Sequence, residues 1–191
     1  MALNDNALVT WELTQSILDL PDGSQTLGEF LINSASQRAE NIAKREFGSE
    51  ERTQYYAGDG REKIILDNYP VTVISGLWLD ASREFGDNTE ITSDKYELED
   101  GEGIIYLFDR VTPEGRKTIK ITYTGGYSTI PTDLQQAVIE TVACNLQRFS
   151  PGSALMGTKT LSVPDGMNTT YEIQVPLNAR QVFESYGDKR V

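Results

Sequence analysis

The residues best suited to catalysis or cation binding are acidic side chains gathered in one short stretch of the chain. The stretch contains four of them: Glu97, Glu99, Asp100 and Glu102. Paired carboxylates can bind a cation or act as general acid and base, as in glycoside hydrolases. On a strand, however, Glu97 and Glu99 share the solvent face while Leu98 points inward. A charged hairpin that turns at Asp100 is therefore the favoured interpretation, and a hydrolase that uses carboxylates alone is the alternative.

The residue types that build most other catalytic sites are missing or isolated. The chain has no histidine, which excludes Ser/His/Asp and Cys/His arrangements and most zinc sites. Cys144 is the single cysteine, so an intrachain disulfide is impossible and a buried structural thiol is expected. Gly101 and Gly103 do not continue into a phosphate-binding pattern. We interpret the chain as a non-enzyme that needs no cofactor and no metal.

The acidic stretch lies within a region that is typical of short strands. Alternating apolar residues and β-branched side chains begin near Arg52, and turn signals such as Asp100-Gly101 separate the segments. No crossover helix fits between them, so antiparallel pairing is expected. Segment 82–94 is polar and is predicted to be an exposed loop. The predicted strands are 63–66, 71–79, 96–98, 104–108 and 118–123.

Helical patterns flank this region on both sides. Thr10 is a suitable cap for a helix over 11–20, and a second helix is predicted from Thr26 to Phe47, with Gly48 as its stop. After Pro131, Thr132 and Gln135 have the spacing of a capping box at the start of a long helix that reaches Phe149. A loop over 150–159, a candidate hairpin of 160–163 with 171–175, and a short amphipathic helix complete the chain.

The order of these elements predicts an α+β fold in one domain, residues 1–191. The expected architecture is a helical bundle with an antiparallel β insertion between the N-terminal helices and the long central helix, plus a short C-terminal helix. The segments are the N-terminal helices within 1–50, the β insertion over 52–124, the long helix within 131–150, and the remaining loop, hairpin and helix over 151–191.

The long helix is apolar around most of its circumference. Its apolar side chains spread over roughly 260° of the helical wheel, whereas a surface helix needs only about 100°. Two interpretations remain open: a central helix wrapped by its own chain, or a helix with one side against a neighbouring subunit. The second interpretation gives a candidate subunit interface of Val138, Ile139, Val142 and Ala143.

The formal net charge of −12 sets limits on the partners of the chain. Tight binding to a nucleic-acid backbone requires the opposite sign. An acidic surface commonly serves solubility, and it can also keep DNA moving by repelling it where the surface lines a passage. The sequence contains no run of 18 or more apolar residues, so no membrane span is predicted. Met1–Asn6 lacks the pattern of a signal peptide. Synthesis in the cytoplasm is expected.

Several short motifs follow one another in a characteristic order. They are Ala7-Leu-Val-Thr10, a helix with small residues from Ile32 to Phe47, Tyr56-Ala-Gly58, the segment from Ile64 to Val71, and the strand–glycine–proline–helix junction from Tyr123 to Ala137. This order resembles the head–tail connector, or adaptor, proteins of long-tailed bacteriophages and prophages. The similarity extends over about residues 7–149.

The resemblance implies a structural protein of the virion neck, synthesised in the cytoplasm of the bacterial host. It implies a closed ring of about twelve copies, docked below the portal protein and offering a platform for the next tail-completion or stopper protein. The ring would extend the DNA channel, and genomic DNA would pass without sequence-specific binding. For contact with the portal we select the C-terminal helix, through Leu177, Val182, Phe183 and Tyr186.

A second function class remains as an alternative. Aromatic residues in the strand region are also typical of a carbohydrate- or receptor-binding β module on a virion or cell surface; they are Tyr55, Tyr56, Trp78 and Tyr106. Aromatic side chains in strands more often form core or cross-strand pairs, which favours the connector interpretation.

Overall fold

The computed structural model describes residues 2–149, 160–162, 168–170 and 175–187. Within them, four α-helices accompany two three-stranded antiparallel sheets, which confirms the α+β class with a long central helix and a short C-terminal one. The chain divides into two compact units, a helical unit of residues 1–45 with 130–191 and a β unit of residues 46–129. The prediction of one domain stays a prediction, and each unit is described by itself.

The helical unit contains α1 (Trp11–Leu18), α2 (Gln25–Ala43), α3 (Thr132–Phe149) and α4 (Leu177–Ser185). Helix α3 packs against both α2 and α4. The core that these helices share consists of fully or nearly fully buried apolar side chains, among them Leu31, Ile32, Ala35, Ala39, Leu134, Val138, Val142 and Phe183.

Helix α1 begins and packs as its sequence predicts. The Thr10 side-chain oxygen accepts a hydrogen bond from the Leu13 amide at 3.2 Å, which satisfies one of the free N–H groups of the first turn. The buried Trp11 ring lies directly on Gly28 of α2, where a Cβ atom would be only 2.0 Å from a ring carbon. Position 28 therefore has room for glycine alone.

Two predicted helix ends are wrong. Helix α2 stops at Ala43 and not at Phe47, because Lys44 takes a left-handed conformation (φ 57°) and the Phe47 carbonyl pairs with the Tyr127 amide at 2.7 Å in an extended bridge. Thr132 lies inside α3 rather than capping it. The Gln135 side-chain Nε2 instead donates to the Ile130 carbonyl at 2.7 Å, and its backbone N–H donates to the Pro131 carbonyl at 3.0 Å.

The β unit holds six strands in two sheets. The first sheet has the order β1 (Glu50–Gly58), β6 (Gly115–Gly125), β3 (Val71–Leu79), and the second has β2 (Lys63–Ile65), β5 (Ile104–Leu107), β4 (Tyr96–Glu99). All pairs are antiparallel, as predicted. Five strands lie where the sequence placed them. Strand β1 escaped prediction because its half-buried positions include Arg52 and Gln54, so it shows no apolar alternation.

Both sheets contribute to one core in the β unit. Apolar side chains of the two sheets pack together with Tyr123, which is fully buried. The Tyr123 hydroxyl donates to Gln54 Oε1 at 2.6 Å and accepts from the Asn68 amide at 3.3 Å, so its polar end is satisfied. Burial, with the hydrogen bond to Tyr123, raises the pKa of the nearby Tyr56 hydroxyl.

Near the C-terminus, β7 (Thr160–Ser162) and β8 (Asn168–Thr170) pair antiparallel. The first strand of the predicted hairpin is therefore confirmed, and its partner begins earlier than the expected 171–175. The predicted turn at Asp165-Gly166, the whole predicted loop over 150–159 and residues 171–174 of the predicted second strand lie outside the described residues.

Candidate functional site

An apolar groove runs between α1 and α3 of the helical unit. It encloses about 510 Å³ and is open to solvent on one side. Its walls are mainly apolar, and polar side chains stand along the α3 edge. The lining includes Leu13, Ile17, Leu18, Gln136, Ile139, Glu140 and Ala143.

Helix α1 supplies the exposed part of this groove. Trp11 and Thr14 of α1 are buried, while Leu13 and Ile17 lie one turn apart with 37% and 58% of their surface exposed. A helix that only covered a core would be apolar on one face. The apolar pair on the groove side of α1 is therefore available to a partner.

The structure places the candidate subunit interface mostly inside the helical unit. Val138 and Val142 are fully buried, and Ile139 is 5% exposed. Because α2 and α4 pack on α3, the core interpretation of its broad apolar face accounts for these three residues. Ala143 is half-buried and lies in the groove wall. Subunit contact by α3 stays a prediction, restricted to its groove side.

Helix α4, the candidate portal contact, is partly core as well. Phe183 is fully buried, and Val182 is half-buried. The Tyr186 hydroxyl donates to both carboxylate oxygens of Asp133 at 2.7 and 2.9 Å, which ties the end of α4 to the start of α3. Leu177, the first residue of α4, is 58% exposed. A portal contact through α4 stays a prediction, and Leu177 is its most accessible side chain.

The acidic stretch forms a hairpin of β4 and β5. Glu97 and Glu99 are exposed and Leu98 is half-buried, as the alternation predicts. Partial burial and the charges of Glu99 and Glu102 raise the pKa of the Tyr106 hydroxyl. Among the described residues, no three acidic or cysteine side chains lie close enough to bind a metal ion together.

A comparison with protein families gives the assignment. The sequence model of the head completion protein family matches residues 17–186, which span most of the chain. The chain belongs to the head completion protein family. The matched range holds α2, α3, α4 and every strand of the β unit, and it confirms the connector resemblance.

Solved structures share the fold of this chain at low sequence identity. Two are necks of gene transfer agent particles, and the third is a virion. The neck of an empty particle, computed with C6 symmetry, gives a TM-score of 0.64 at 16% identity, with 100% of this chain and 94% of that chain covered. The neck of a native particle, computed with C12 symmetry, gives 0.56 at 20% identity, covering 100% and 97%. The virion of a native particle gives 0.61 at 18% identity, covering 100% and 94%.

No curated protein sequence matches the chain significantly. In the part of the chain that the structure describes, no helix has both the length and the apolar character needed to cross a bilayer.

Proposed function

We propose that this protein assembles with copies of itself into a ring at the virion neck. The ring lies between the portal protein and the tail-completion or stopper protein, and it extends the channel through which the genome passes. The observation that carries this proposal is the match of the head completion family to residues 17–186. The protein acts as a structural component and not as an enzyme.

The shared fold supports the ring. Two of the matching chains come from particle necks computed with C6 and C12 symmetry. In a closed ring each copy presents one surface to the copy before it and a different surface to the copy after it. Each protomer therefore needs two complementary patches.

The groove between α1 and α3 suits one of these patches. Its apolar walls include Leu13 and Ile17, and Gln136 and Glu140 lie on its α3 side. An apolar centre with a polar rim is the usual anatomy of a protein interface. A neighbouring copy that inserts apolar side chains here would remove Ile17 from water.

The charge of the protein suits a conduit for DNA. A protomer with a formal charge of −12 repels the phosphate backbone, which allows the genome to move past without sticking. Passage of this kind needs no sequence-specific contact, so the ring would handle any genome segment equally.

Electron microscopy of the purified protein mixed with its portal protein tests the proposal, with Ile17→Asp as the test variant. We expect closed rings on the portal, and at least about a tenfold loss of rings for Ile17→Asp because a central apolar anchor becomes charged. Ser16→Asp, which adds the same charge at an exposed neighbouring position of α1, is the control. The proposal is refuted if the wild-type protein never forms a ring. It is also refuted if heads that lack the protein join tails normally.

The aromatic residues of the β unit do not support a separate carbohydrate-binding function. The Tyr55 ring packs on Phe85, the Lys120 ammonium lies over the Trp78 ring at 4.3 Å, and the Tyr56 hydroxyl bonds within the core. These contacts engage three of the four rings within the chain itself, and the Lys63 ammonium lies 6.0 Å from the centre of the fourth, Tyr106.

A further inference from the structure

A basic cleft of about 440 Å³ opens on the surface of the β unit. It brings together three cations from two separate segments, the loop after β3 and the start of β6. Its lining is Tyr55, Ala57, Arg83, Arg116 and Lys117. A local concentration of positive charge is unexpected in a chain with 29 acidic and 17 basic residues.

The three cations of the basic cleft are not neutralised by the chain around them. Among the described residues, Arg52, Arg61 and Lys95 each form an ion pair with a nearby carboxylate. None of the cleft cations has a carboxylate partner in this part of the chain. All three are exposed, so their charge is available to an anion.

Hydrogen bonds to Asp80 fix the loop that carries Arg83 and leave the charge of the Arg83 guanidinium unpaired among the described residues. The Asp80 carboxylate is largely buried and accepts backbone N–H bonds from Ser82, Glu84 and Phe85 at 2.7, 2.8 and 2.9 Å. These bonds fold the loop around the carboxylate and place Arg83 in a left-handed conformation at φ 64°. The Asp80 carboxylate is thus engaged by backbone amides, and it forms no ion pair with the Arg83 guanidinium.

The other wall of the basic cleft is fixed just as firmly. The Thr118 hydroxyl donates to the Pro113 carbonyl at 2.7 Å and accepts from the Gly58 amide at 3.1 Å, which fastens the start of β6 to β1. Lys117 lies next to this anchor at φ 56°. The Tyr55 ring meets Phe85 of the Asp80 loop at 5.5 Å between centroids. Both basic segments are therefore held by specific contacts.

We propose that the basic cleft binds an acidic segment of a neighbouring copy in the ring. The inference rests on the proposed ring function. Copies that each carry a charge of −12 repel one another when they lie side by side, so lateral packing requires local charge complementarity. The neighbouring copy supplies abundant exposed carboxylates, and the open cations of the basic cleft match them.

Nucleic acid fits the basic cleft less well than a protein carboxylate. Three cations would neutralise only about three phosphates, which gives weak binding that salt removes readily. The −12 charge of the protomer adds repulsion to that contact. A neighbour in a ring is held in place by other contacts, so its carboxylates need no long-range attraction.

Cross-linking between isotopically distinct copies tests the assignment. Equal amounts of unlabelled and ¹⁵N-labelled protein are assembled on the portal and treated with a carbodiimide, which joins an amine to a carboxylate in direct contact. Mass spectrometry then separates links within a copy from links between copies. We expect Lys117 to be joined to an aspartate or glutamate of the other isotope.

A charge reversal in the basic cleft supplies the matched comparison. Arg116→Glu should lower both the Lys117 link and the yield of rings by about tenfold, and it should flatten their dependence on salt, because an interfacial charge contact is lost. Arg110→Glu reverses an exposed cation of the same unit outside the cleft and should change neither. Circular dichroism establishes that both variants fold.

Each result decides the question. Wild-type rings without a Lys117 link between copies overturn the cleft assignment and leave the ring function standing. Wild-type protein that forms no ring refutes the ring function, and the cleft assignment falls with it. If Arg116→Glu leaves ring yield unchanged but abolishes retention on duplex DNA, the cleft is a nucleic-acid site and the assignment is wrong.

Discussion

The ionised carboxylate of Asp80 organises the loop after β3 through hydrogen bonds from backbone amides. Hydrogen bonds from the backbone amides of Phe85, Ser82 and Glu84 lower the pKa of its carboxyl group. A lowered folded-state pKa means that the charged form stabilises the fold above the unfolded value of about 3.9, and that this stability is lost as the pH falls through the folded value.

Asp80→Asn should therefore lower the urea midpoint of unfolding at pH 7 and have a smaller effect at pH 3, which is below the unfolded pKa of about 3.9. The amide presents one weaker acceptor where the carboxylate presented two charged ones. Asp87→Asn, at an exposed position of the same loop, is the control and should have little effect at either pH. An equal loss at both pH values would show that the charge of Asp80 contributes nothing.

At the same scale, sequence patterns predicted contacts between near neighbours and missed those between distant ones. The Thr10 cap and the alternation of Glu97 and Leu98 involve residues within a few positions, and both were predicted. The meeting of Arg83 with Arg116 and Lys117 joins segments more than 30 residues apart. The antiparallel pairing of β3 with β6, which sets Leu79 opposite Ile119, brings them together. The alternation within one strand does not show which other strand it pairs with, so this meeting could not be predicted.

At the scale of elements, the apolar pattern of helix α3 predicts that the helix is buried but not which chain buries it. Its pattern predicted extensive burial correctly, but it left open whether the same chain or another copy covers each side. Neighbouring helices cover Val138 and Val142 completely. The apolar side chains that remain accessible include Leu13 and Ile17 of α1, because that short helix has apolar side chains on two faces.

The contact between α1 and α2 gives a direct stability prediction. Gly28→Ala should destabilise the protein by about 1–3 kcal/mol, because the added methyl group would overlap the Trp11 ring. Gly23→Ala is the matched control: a Cβ atom there meets nothing within 4 Å, and we expect a change within about 0.5 kcal/mol. Urea unfolding measures both, and equal stability of the two variants would contradict the packing described here.

At the scale of the whole molecule, the order of motifs was more informative than any one of them. The sequence predicted the helix–strand–helix succession and the family resemblance, and the family match over residues 17–186 confirms the latter. Patterns could not predict that residues 46–129 form a separate compact unit, since compactness depends on contacts between strands that are distant in sequence.

Attachment to the portal involves the assembled ring, and a substitution in α4 can test it. Deleting α4 would remove the buried Phe183 from the core, so a point substitution is the better probe. Leu177→Asp should fold normally and reduce joining to portal-bearing heads by about tenfold, because an exposed apolar contact becomes charged. Val111→Asp, at a residue 53% exposed in the β unit, is the control. Undiminished joining of Leu177→Asp would exclude this contact.

The two tryptophans of the chain fall one in each compact unit. Trp11 is buried in the helical unit, and Trp78 lies in the β unit beneath the Lys120 ammonium. Their different surroundings give each unit its own intrinsic fluorophore. Replacing either ring with phenylalanine leaves an emission signal that reports on one unit, so denaturation of the two halves can be followed separately without an added dye.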